Sequence, residues 1–245
     1  RTDLNIPDVQ QQLLKELIKT GKPVVLVLFA GRPMTLVWEE ANVPAILNVW
    51  FGGSEAAYAI ADVLFGDMNP SGKLTTTFPQ NVGQIPLFYN HKNTGRPLEE
   101  GKWFAKFRSN YLDVSNEPLY PFGFGLSYSN FEYSDIKLDK STMDMDGEIT
   151  ASLSVRNSGS VDGKEVVQLY IRDIVGSTTR PVKELKGFEK VLIKAGESKE
   201  VSFTINADLL KFYDYDLNYV AESGDFDVMI GSNSRDVKSA RFNLK

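Results

Sequence analysis

A short segment that reads YNHKNTGRP, Tyr89 to Pro97, carries the polar side chains best placed to bind a polyhydroxylated ligand. Recognition of a sugar needs several polar groups that converge on its hydroxyls and an aromatic face for its ring. The alternative interpretation is a structural loop packed against another surface, with Arg96 in an ion pair. The candidate binding residues are Asn90, His91, Asn93, Arg96 and Trp103, with Phe104 as a second choice for the aromatic face.

The carboxylates elsewhere in the sequence have structural explanations. Glu55 is expected at a helix start, where a negative charge is favourable, and Glu39 and Glu40 on the polar face of another helix. Asp67 and Asn69 fit a turn in GDMNPSG, where such side chains bond to nearby backbone. We therefore assign no catalytic residue within this chain.

A further acidic and aromatic stretch, DYDLNY, spans Asp214 to Tyr219. It is compatible with a strip that binds carbohydrate. In a β-sandwich, however, alternating tyrosines more often pack on the core or cover an edge. We expect that second arrangement.

Composition narrows the classes of function. The chain has 245 residues, a formal net charge of −5, one histidine and no cysteine. Nucleic-acid binding is not expected, since it needs clustered Lys and Arg. A histidine-rich metal site and a histidine-dependent catalytic triad are disfavoured, and we expect no metal and no cofactor. No apolar run approaches the ~20 residues of a membrane-spanning helix.

The first half of the sequence alternates helix and strand patterns. Pro7 and Gly21 lie at the ends of one predicted helix, and Ser54 and Gly66 are the expected N-cap and C-cap of another. Two continuous apolar runs suit strands of a parallel sheet that is covered on both faces. The runs are PVVLVLFAG and VPAILNVWFGG. The order indicates an α/β fold whose small sheet has exposed edges.

The pattern loosens between Gly66 and about Tyr128, where we predict mostly loop with one short strand, Leu74 to Phe78. Beyond it, about seven or eight short stretches alternate with period two, which predicts an antiparallel sandwich of immunoglobulin or fibronectin type III style. One helical turn is expected in NADLLKF. The fold class is thus α/β followed by all-β, with domains at residues 1–128 and 129–245.

Four long motifs, in this order, resemble the C-terminal part of a family 3 glycoside hydrolase, most strongly the bacterial periplasmic β-glucosidases. The motifs run from Trp50 to Pro79, Leu119 to Ser134, Val155 to Asp173 and Arg180 to Ser198. The resemblance implies a (β/α)8-type barrel, an α/β sandwich domain and a fibronectin type III-like domain. The present sequence would hold the end of the second and all of the third.

The resemblance also implies a retaining, exo-acting β-glycosidase, whose two carboxyl groups act as nucleophile and as acid/base. In the family the nucleophilic Asp belongs to the barrel. The acid/base Glu precedes a D-L-x-L-P segment, which reads Asp3-Leu4-Asn5-Ile6-Pro7 in this chain with Ile in place of Leu. Both carboxyl groups would therefore fall outside the chain, and we expect the chain alone to be inactive.

The implied substrate is a terminal β-glucosyl residue of an oligosaccharide or β-glucoside, and the implied location is periplasmic or secreted. A β-xylosidase, another family 3 glycosidase and a non-catalytic structural or carbohydrate-binding module remain alternatives. Surface that faces the barrel should be apolar and exposed around Trp50, Phe51, Phe88 and Trp103, which makes self-association possible.

Overall fold

The computed structural model describes residues 2–99 and 101–245, and its first part has the predicted α/β order. None of the helices in these ranges is long and apolar enough to cross a membrane. The elements of the first part are α1 Asp8–Lys19, β1 Val25–Leu28, α2 Val37–Asn42, β2 Ala45–Asn48 and α3 Ala56–Phe65.

The helix ends follow the sequence pattern with one exception. Pro7 precedes α1, Gly21 follows it at φ 71°, and Gly66 ends α3 in the left-handed conformation at φ 86°. Ser54 is not the N-cap of α3, because Glu55 holds that position without a side-chain cap. The amide of Ala56 is bonded to the Gly53 carbonyl at 3.3 Å, so a backbone turn replaces the expected side-chain cap.

Strands β1 and β2 pair in parallel, but they are not covered on both faces as the apolar runs predicted. Val25 is 47% exposed, and Phe29, just beyond β1, is 60% exposed. Among the described residues this sheet has only two strands, so each strand has one edge without a paired neighbour. Helix α3 likewise has no buried residue, with Phe65 84% exposed.

The exposed apolar surface agrees with expectation at Phe51, Phe88 and Trp103, whose exposed fractions are 81%, 60% and 54%. Trp50 differs, because it is partly buried and its ring lies 5.9 Å from the ring of Phe78.

The predicted strand from Leu74 to Phe78 is absent from the structure. Backbone hydrogen bonds hold this segment only at its two ends. The Leu74 amide donates to the Phe124 carbonyl at 2.7 Å, and the Phe78 amide donates to the Tyr120 carbonyl at 2.9 Å. Since the bonds between these ends are missing, no continuous ladder forms. The segment instead holds residues 119–124 beside it as an irregular layer.

Residues 131–244 form the predicted β-sandwich, including the single helical turn. The elements are β3 Phe131–Tyr133, β4 Lys137–Leu138, β5 Thr142–Met143, β6 Glu148–Asn157, β7 Gly163–Asp173, β8 Glu184–Ile193, β9 Ser198–Asn206, α4 Ala207–Leu210, β10 Phe212–Tyr213, β11 Tyr219–Val220, β12 Gly224–Gly231 and β13 Val237–Leu244. One sheet has the order β5-β13-β12-β7-β8, and in the other β6 pairs with β3, β4 and β9. All of these pairings are antiparallel except that of β5 with β13.

Strand β7 is buried on both faces over most of its length. One face contributes Val167, Leu169 and Ile171 to the core between the sheets. The other face carries Gln168, whose amide donates to the Gly123 carbonyl at 3.1 Å. The irregular layer therefore covers the outer face of this strand.

A buried ion pair joins the irregular layer to the sandwich. The ammonium of Lys73 lies 3.1 and 3.3 Å from the two carboxylate oxygens of Glu165, whose side chain is 3% exposed. The same ammonium donates to the Gly125 carbonyl at 2.9 Å, and the Tyr133 hydroxyl donates to Glu165 at 2.9 Å. Burial and the adjacent carboxylate raise the pKa of Tyr133, so its hydroxyl stays a donor.

We expect Lys73→Met to lower the free energy of unfolding by about 3 kcal/mol, because the carboxylate of Glu165 would stay buried without its partner. Urea denaturation measures this change. Lys19→Ala is the matched control, since it breaks an ion pair between side chains that are 68% and 58% exposed. Its effect should stay below about 0.5 kcal/mol. Equal effects of the two variants would contradict the structural importance of the buried pair.

Candidate functional site

The candidate segment, Tyr89 to Pro97, starts from a fixed point on the sandwich. The Tyr89 ring stacks on Phe122 with centroids 4.4 Å apart, and its edge-to-face partner is the buried Tyr170 at 5.9 Å. The Tyr89 hydroxyl accepts a hydrogen bond from the Leu185 amide at 3.2 Å. Tyr89 therefore ties the segment to strands β7 and β8.

Residues 91 and 92 continue along the sandwich as a short antiparallel contact. The His91 carbonyl accepts from the Val182 amide at 2.9 Å, and Lys92 forms a bridge with Pro181. The segment is thus a packed loop in its first half, as the structural alternative proposed, although the surface it contacts is the sandwich. The His91 side chain is exposed, and its Nδ1 lies 3.3 Å from the Lys92 carbonyl oxygen.

Beyond Lys92 the chain makes an excursion that is held together where Arg96 and Pro97 meet Ser109. The Arg96 carbonyl accepts from the Ser109 amide at 2.8 Å, and Pro97 pairs with Ser109. The side chains of Asn93, Arg96 and Trp103 lie exposed on this excursion. Among the described residues no ion pair involves Arg96, so the ion pair expected for it in the structural alternative is not seen.

The structure divides the five candidates into two groups. Asn90 and His91 lie on the anchored part of the loop, whereas Asn93, Arg96 and Trp103 lie on the excursion. All five are exposed, with Trp103 at 54%, and none of them lines the polar cleft described below. The arrangement is an open surface that carries amide, imidazole, guanidinium and indole groups.

A second polar locus lies at the segment DLNIP, where sequence reasoning placed no binding residue. The Leu4 carbonyl accepts from the Thr35 amide at 3.1 Å, and the Thr35 hydroxyl donates to the Asn5 side chain. Ile6 is 5% exposed within the small core of this part. A polar cleft of about 90 Å³ opens beside it, lined by Asp3, Asn5, Thr35, Gln80, Asn81 and Val82.

The cleft could not be found from sequence, because its lining comes from three separated stretches. Asn81 caps the 3-10 turn Val82–Gln84 by accepting from the Gly83 amide at 2.8 Å. The Gln84 side chain accepts from the Asn81 amide at 3.2 Å. The polar rim is therefore held by local capping, for which an Asn-x-x-Gln pattern is the available signal.

The carboxylates show one deviation from expectation. Glu40 is exposed and Glu55 lies at the start of α3, as predicted, but Glu39 is 1% exposed, and its carboxylate accepts from the Gln11 amide at 3.0 Å. Helix α2 thus turns Glu39 toward α1. Burial and the charges of Glu40 and Glu39 raise the pKa of Tyr120 to about 12.

Asn69 also acts differently from the local turn role expected for it. Its side-chain oxygen accepts from the Ser127 hydroxyl and the Tyr128 amide, each at 2.9 Å. Its amide donates to the Asp162 carbonyl at 2.9 Å, which links the α/β part to the sandwich. Within the described ranges, no group of three or more His, Cys, Asp or Glu side chains is arranged to hold a metal ion.

Comparison with known proteins gives the following matches. The model of the glycosyl hydrolase family 3 C-terminal domain matches residues 1–128, and that of a fibronectin type III-like domain matches residues 165–234. A periplasmic β-glucosidase of Salmonella typhimurium is 52% identical over 100% of this chain and 32% of its own length. A β-xylosidase of Formosa agariphila is 42% identical over 100% of this chain and 33% of its own length.

The fold matches the crystal structure of a β-glucosidase from Listeria innocua in complex with glucose. The TM-score is 0.92 at 42% identity, over 98% of this chain and 33% of that one. The chain therefore spans about a third of the length of the relatives it matches.

The anchoring of the candidate segment can be tested at Tyr89. We expect Tyr89→Ala to accelerate hydrogen exchange of the Val182 amide about tenfold or more, because loss of the ring frees the loop whose His91 carbonyl protects that amide. Tyr89→Phe keeps the stacked ring and removes only the hydroxyl, so its effect should be several-fold smaller. Equal protection in the Ala variant and the unmodified chain would show that Tyr89 does not hold the loop.

Proposed function

The chain belongs to glycoside hydrolase family 3, and from this premise we propose that it is the C-terminal part of a retaining, exo-acting β-glucosidase. The proposed enzyme removes terminal non-reducing β-glucosyl residues from oligosaccharides or β-glucosides. The observation that carries this proposal is the 52% identity, over the full chain, to a protein named periplasmic β-glucosidase. That name also supports a periplasmic or secreted location.

A β-xylosidase is the second candidate, since a relative named β-xylosidase is 42% identical over the full chain. The two sugars differ only in the hydroxymethyl group of the glucose ring, so one additional contact can decide between them. We favour the glucosidase because the identity is ten percentage points higher, 52% against 42%.

We propose that residues 1–128 are the end of the α/β sandwich domain and residues 129–245 a fibronectin type III-like domain. The change from helices and parallel strands to an antiparallel sandwich supports this division. The exposed apolar side chains of Phe51 and Phe65 lie on the α/β part, where a further domain of the whole enzyme would cover them. Without that cover they favour self-association.

The chemistry of retention sets a limit on the role of this chain. It needs two carboxyl groups about 5–5.5 Å apart. Glu39 is buried and bonded to Gln11, and Glu55 faces solvent. We propose that both catalytic carboxyl groups come from other parts of the whole enzyme, and that the acid/base lies shortly before Asp3.

In this proposal the chain positions groups around the substrate. The hydrogen-bonded residues Asn5 and Thr35, beside the cleft, hold the backbone that leads to the acid/base. The exposed amides and guanidinium of Asn90, Asn93 and Arg96 offer hydrogen bonds to sugar hydroxyls. Trp103, 54% exposed, offers a ring face for stacking.

The first test joins this chain to the first two-thirds of the Salmonella periplasmic β-glucosidase. We expect the chimaera to hydrolyse an aryl β-glucoside, whereas this chain alone and the first two-thirds alone show no turnover. The physical reason is that neither piece holds the complete set of catalytic and positioning groups. Turnover by this chain alone, or a folded chimaera without activity, would refute the assignment. An aryl β-xyloside assayed in parallel decides between the two sugars.

The second test places Trp103→Ala in the chimaera. We expect kcat/KM to fall about tenfold, which corresponds to ~1.4 kcal/mol for loss of a stacking face. Phe188→Ala is the matched control, because this aromatic side chain of β8 is 66% exposed and lies outside the candidate segment. If the two variants have the same kcat/KM, Trp103 does not contact substrate.

A further inference from the structure

The strand pair β10 and β11 presents an aromatic surface that plays no part in the function proposed above. In this antiparallel ribbon Phe212 pairs with Val220, and Tyr213 pairs with Tyr219. Since successive side chains of a strand point to opposite faces, the two pairs lie on opposite faces of the ribbon. Phe212 is 4% exposed, whereas Tyr213 and Tyr219 are 64% and 55% exposed.

The tyrosines of DYDLNY, Tyr215 and Tyr219, are 89% and 55% exposed, so the expectation that they pack on the core was wrong. Phe212, which precedes this stretch, takes the inward position. The guanidinium of Arg180 lies over the Phe212 ring at 4.0 Å and fixes the inner face of the ribbon. The outer face carries the rings of Tyr213 and Tyr219 and is exposed to solvent, while the contacts of the inner face hold the ribbon in place.

The rings of Tyr213 and Tyr219 lie side by side. Their centroids are 4.9 Å apart and their planes are inclined by 43°, which forms a shallow aromatic surface. We call this pair the tyrosine platform. An exposed aromatic pair held by paired strands keeps its geometry without a ligand, so little ordering is needed when a ligand binds.

The turn that joins the two strands is also well ordered. The carboxylate of Asp214 accepts from the Asn218 backbone amide at 2.8 Å and from its side-chain amide at 3.2 Å. The Asp214 amide in turn donates to the Asn218 carbonyl at 3.0 Å. This bonding fixes the turn at residues that neighbour Tyr213 and Tyr219 in sequence.

The chemistry of this surface selects one class of ligand. The carboxylates of Asp214 and Asp216 disfavour an anionic ligand, and their charge disfavours a wholly apolar one. A neutral sugar with equatorial hydroxyls fits both features. Its axial C–H bonds form an apolar ring face for the tyrosines, and its hydroxyls can hydrogen-bond with the tyrosine hydroxyls.

We propose that the tyrosine platform binds a neutral, β-linked oligosaccharide of the gluco or xylo type, at a site separate from Asn90–Trp103. The fibronectin-like part of the chain would then hold a glycan by itself. This binding does not require the hydrolytic activity. An inactive chimaera would therefore not contradict glycan binding at the platform, and absence of glycan binding would not contradict the hydrolase proposal.

Affinity electrophoresis of the whole chain in gels that contain soluble mixed-linkage β-glucan or xylan tests the site. We expect retardation in at least one gel, and loss of that retardation in the Tyr213→Thr/Tyr219→Thr variant, with at least a tenfold weaker apparent affinity. Tyr213→Phe/Tyr219→Phe keeps both ring faces and should be retarded as the unmodified chain is. Phe188→Ala, which changes an exposed ring outside both candidate sites, should also leave retardation unchanged.

Because cross-strand tyrosines also stabilise a ribbon, amide chemical shifts of the unmodified chain provide a test without substitution. Titration with cellotetraose or xylotetraose should shift the amides of residues 213–219. The proposal is overturned if neither gel retards the chain, if a folded Thr variant keeps its retardation, or if the shifts lie elsewhere. It is equally overturned if the Thr substitutions convert a dimer to a monomer while glycan binding is absent, since the platform would then contact a second copy.

Discussion

Strand β7 carries polar groups that are buried, and this constraint organises the molecule on both sides of the strand. Glu165 is 2% exposed and Gln168 3% exposed, and neither can remain without partners at such burial. Lys73 and Tyr133 satisfy the first, and the carbonyls of Gly123 and Ser232 satisfy the second, at 3.1 and 2.6 Å. The irregular layer must therefore lie against the sandwich in one position.

The close fit of that layer explains why a glycine stands at residue 123. Its φ is 81°, and a side-chain carbon built there would approach the Gln168 oxygen to 2.0 Å. Tyr170 completes the arrangement, since its hydroxyl donates to Gln168 at 2.6 Å while its ring meets Tyr89. The first residue of the candidate segment, Tyr89, thus packs against side chains that the sandwich holds in place. The position of the exposed end of the segment depends on this contact.

Prediction from sequence worked where a local rule determines the structure. Alternation along β6 places Ile149, Ala151 and Leu153 in the core, each at most 2% exposed. Gly66 could be recognised as a helix end because its conformation suits glycine. The prediction that both faces of β1 are covered was wrong. A continuous apolar run shows that a strand has side chains suited to burial, but it does not show that another element covers them. Glu39 and Asn69 were also misread, because their partners are distant in sequence, 28 and 93 residues away for Gln11 and Asp162.

The exposed aromatic surfaces of the two parts differ in a way that separates protein contacts from ligand contacts. Phe51 and Phe65 are 81% and 84% exposed and have no polar atom on the ring. The unfavourable hydration of these rings is removed only when a large apolar surface buries them. Tyr213 and Tyr219 carry hydroxyls and rest on a ribbon whose other face holds Phe212, which is 4% exposed. Such a surface is tolerated in water. This difference is what the two proposals require, a protein cover over the α/β part and an open outer face on the ribbon of the sandwich.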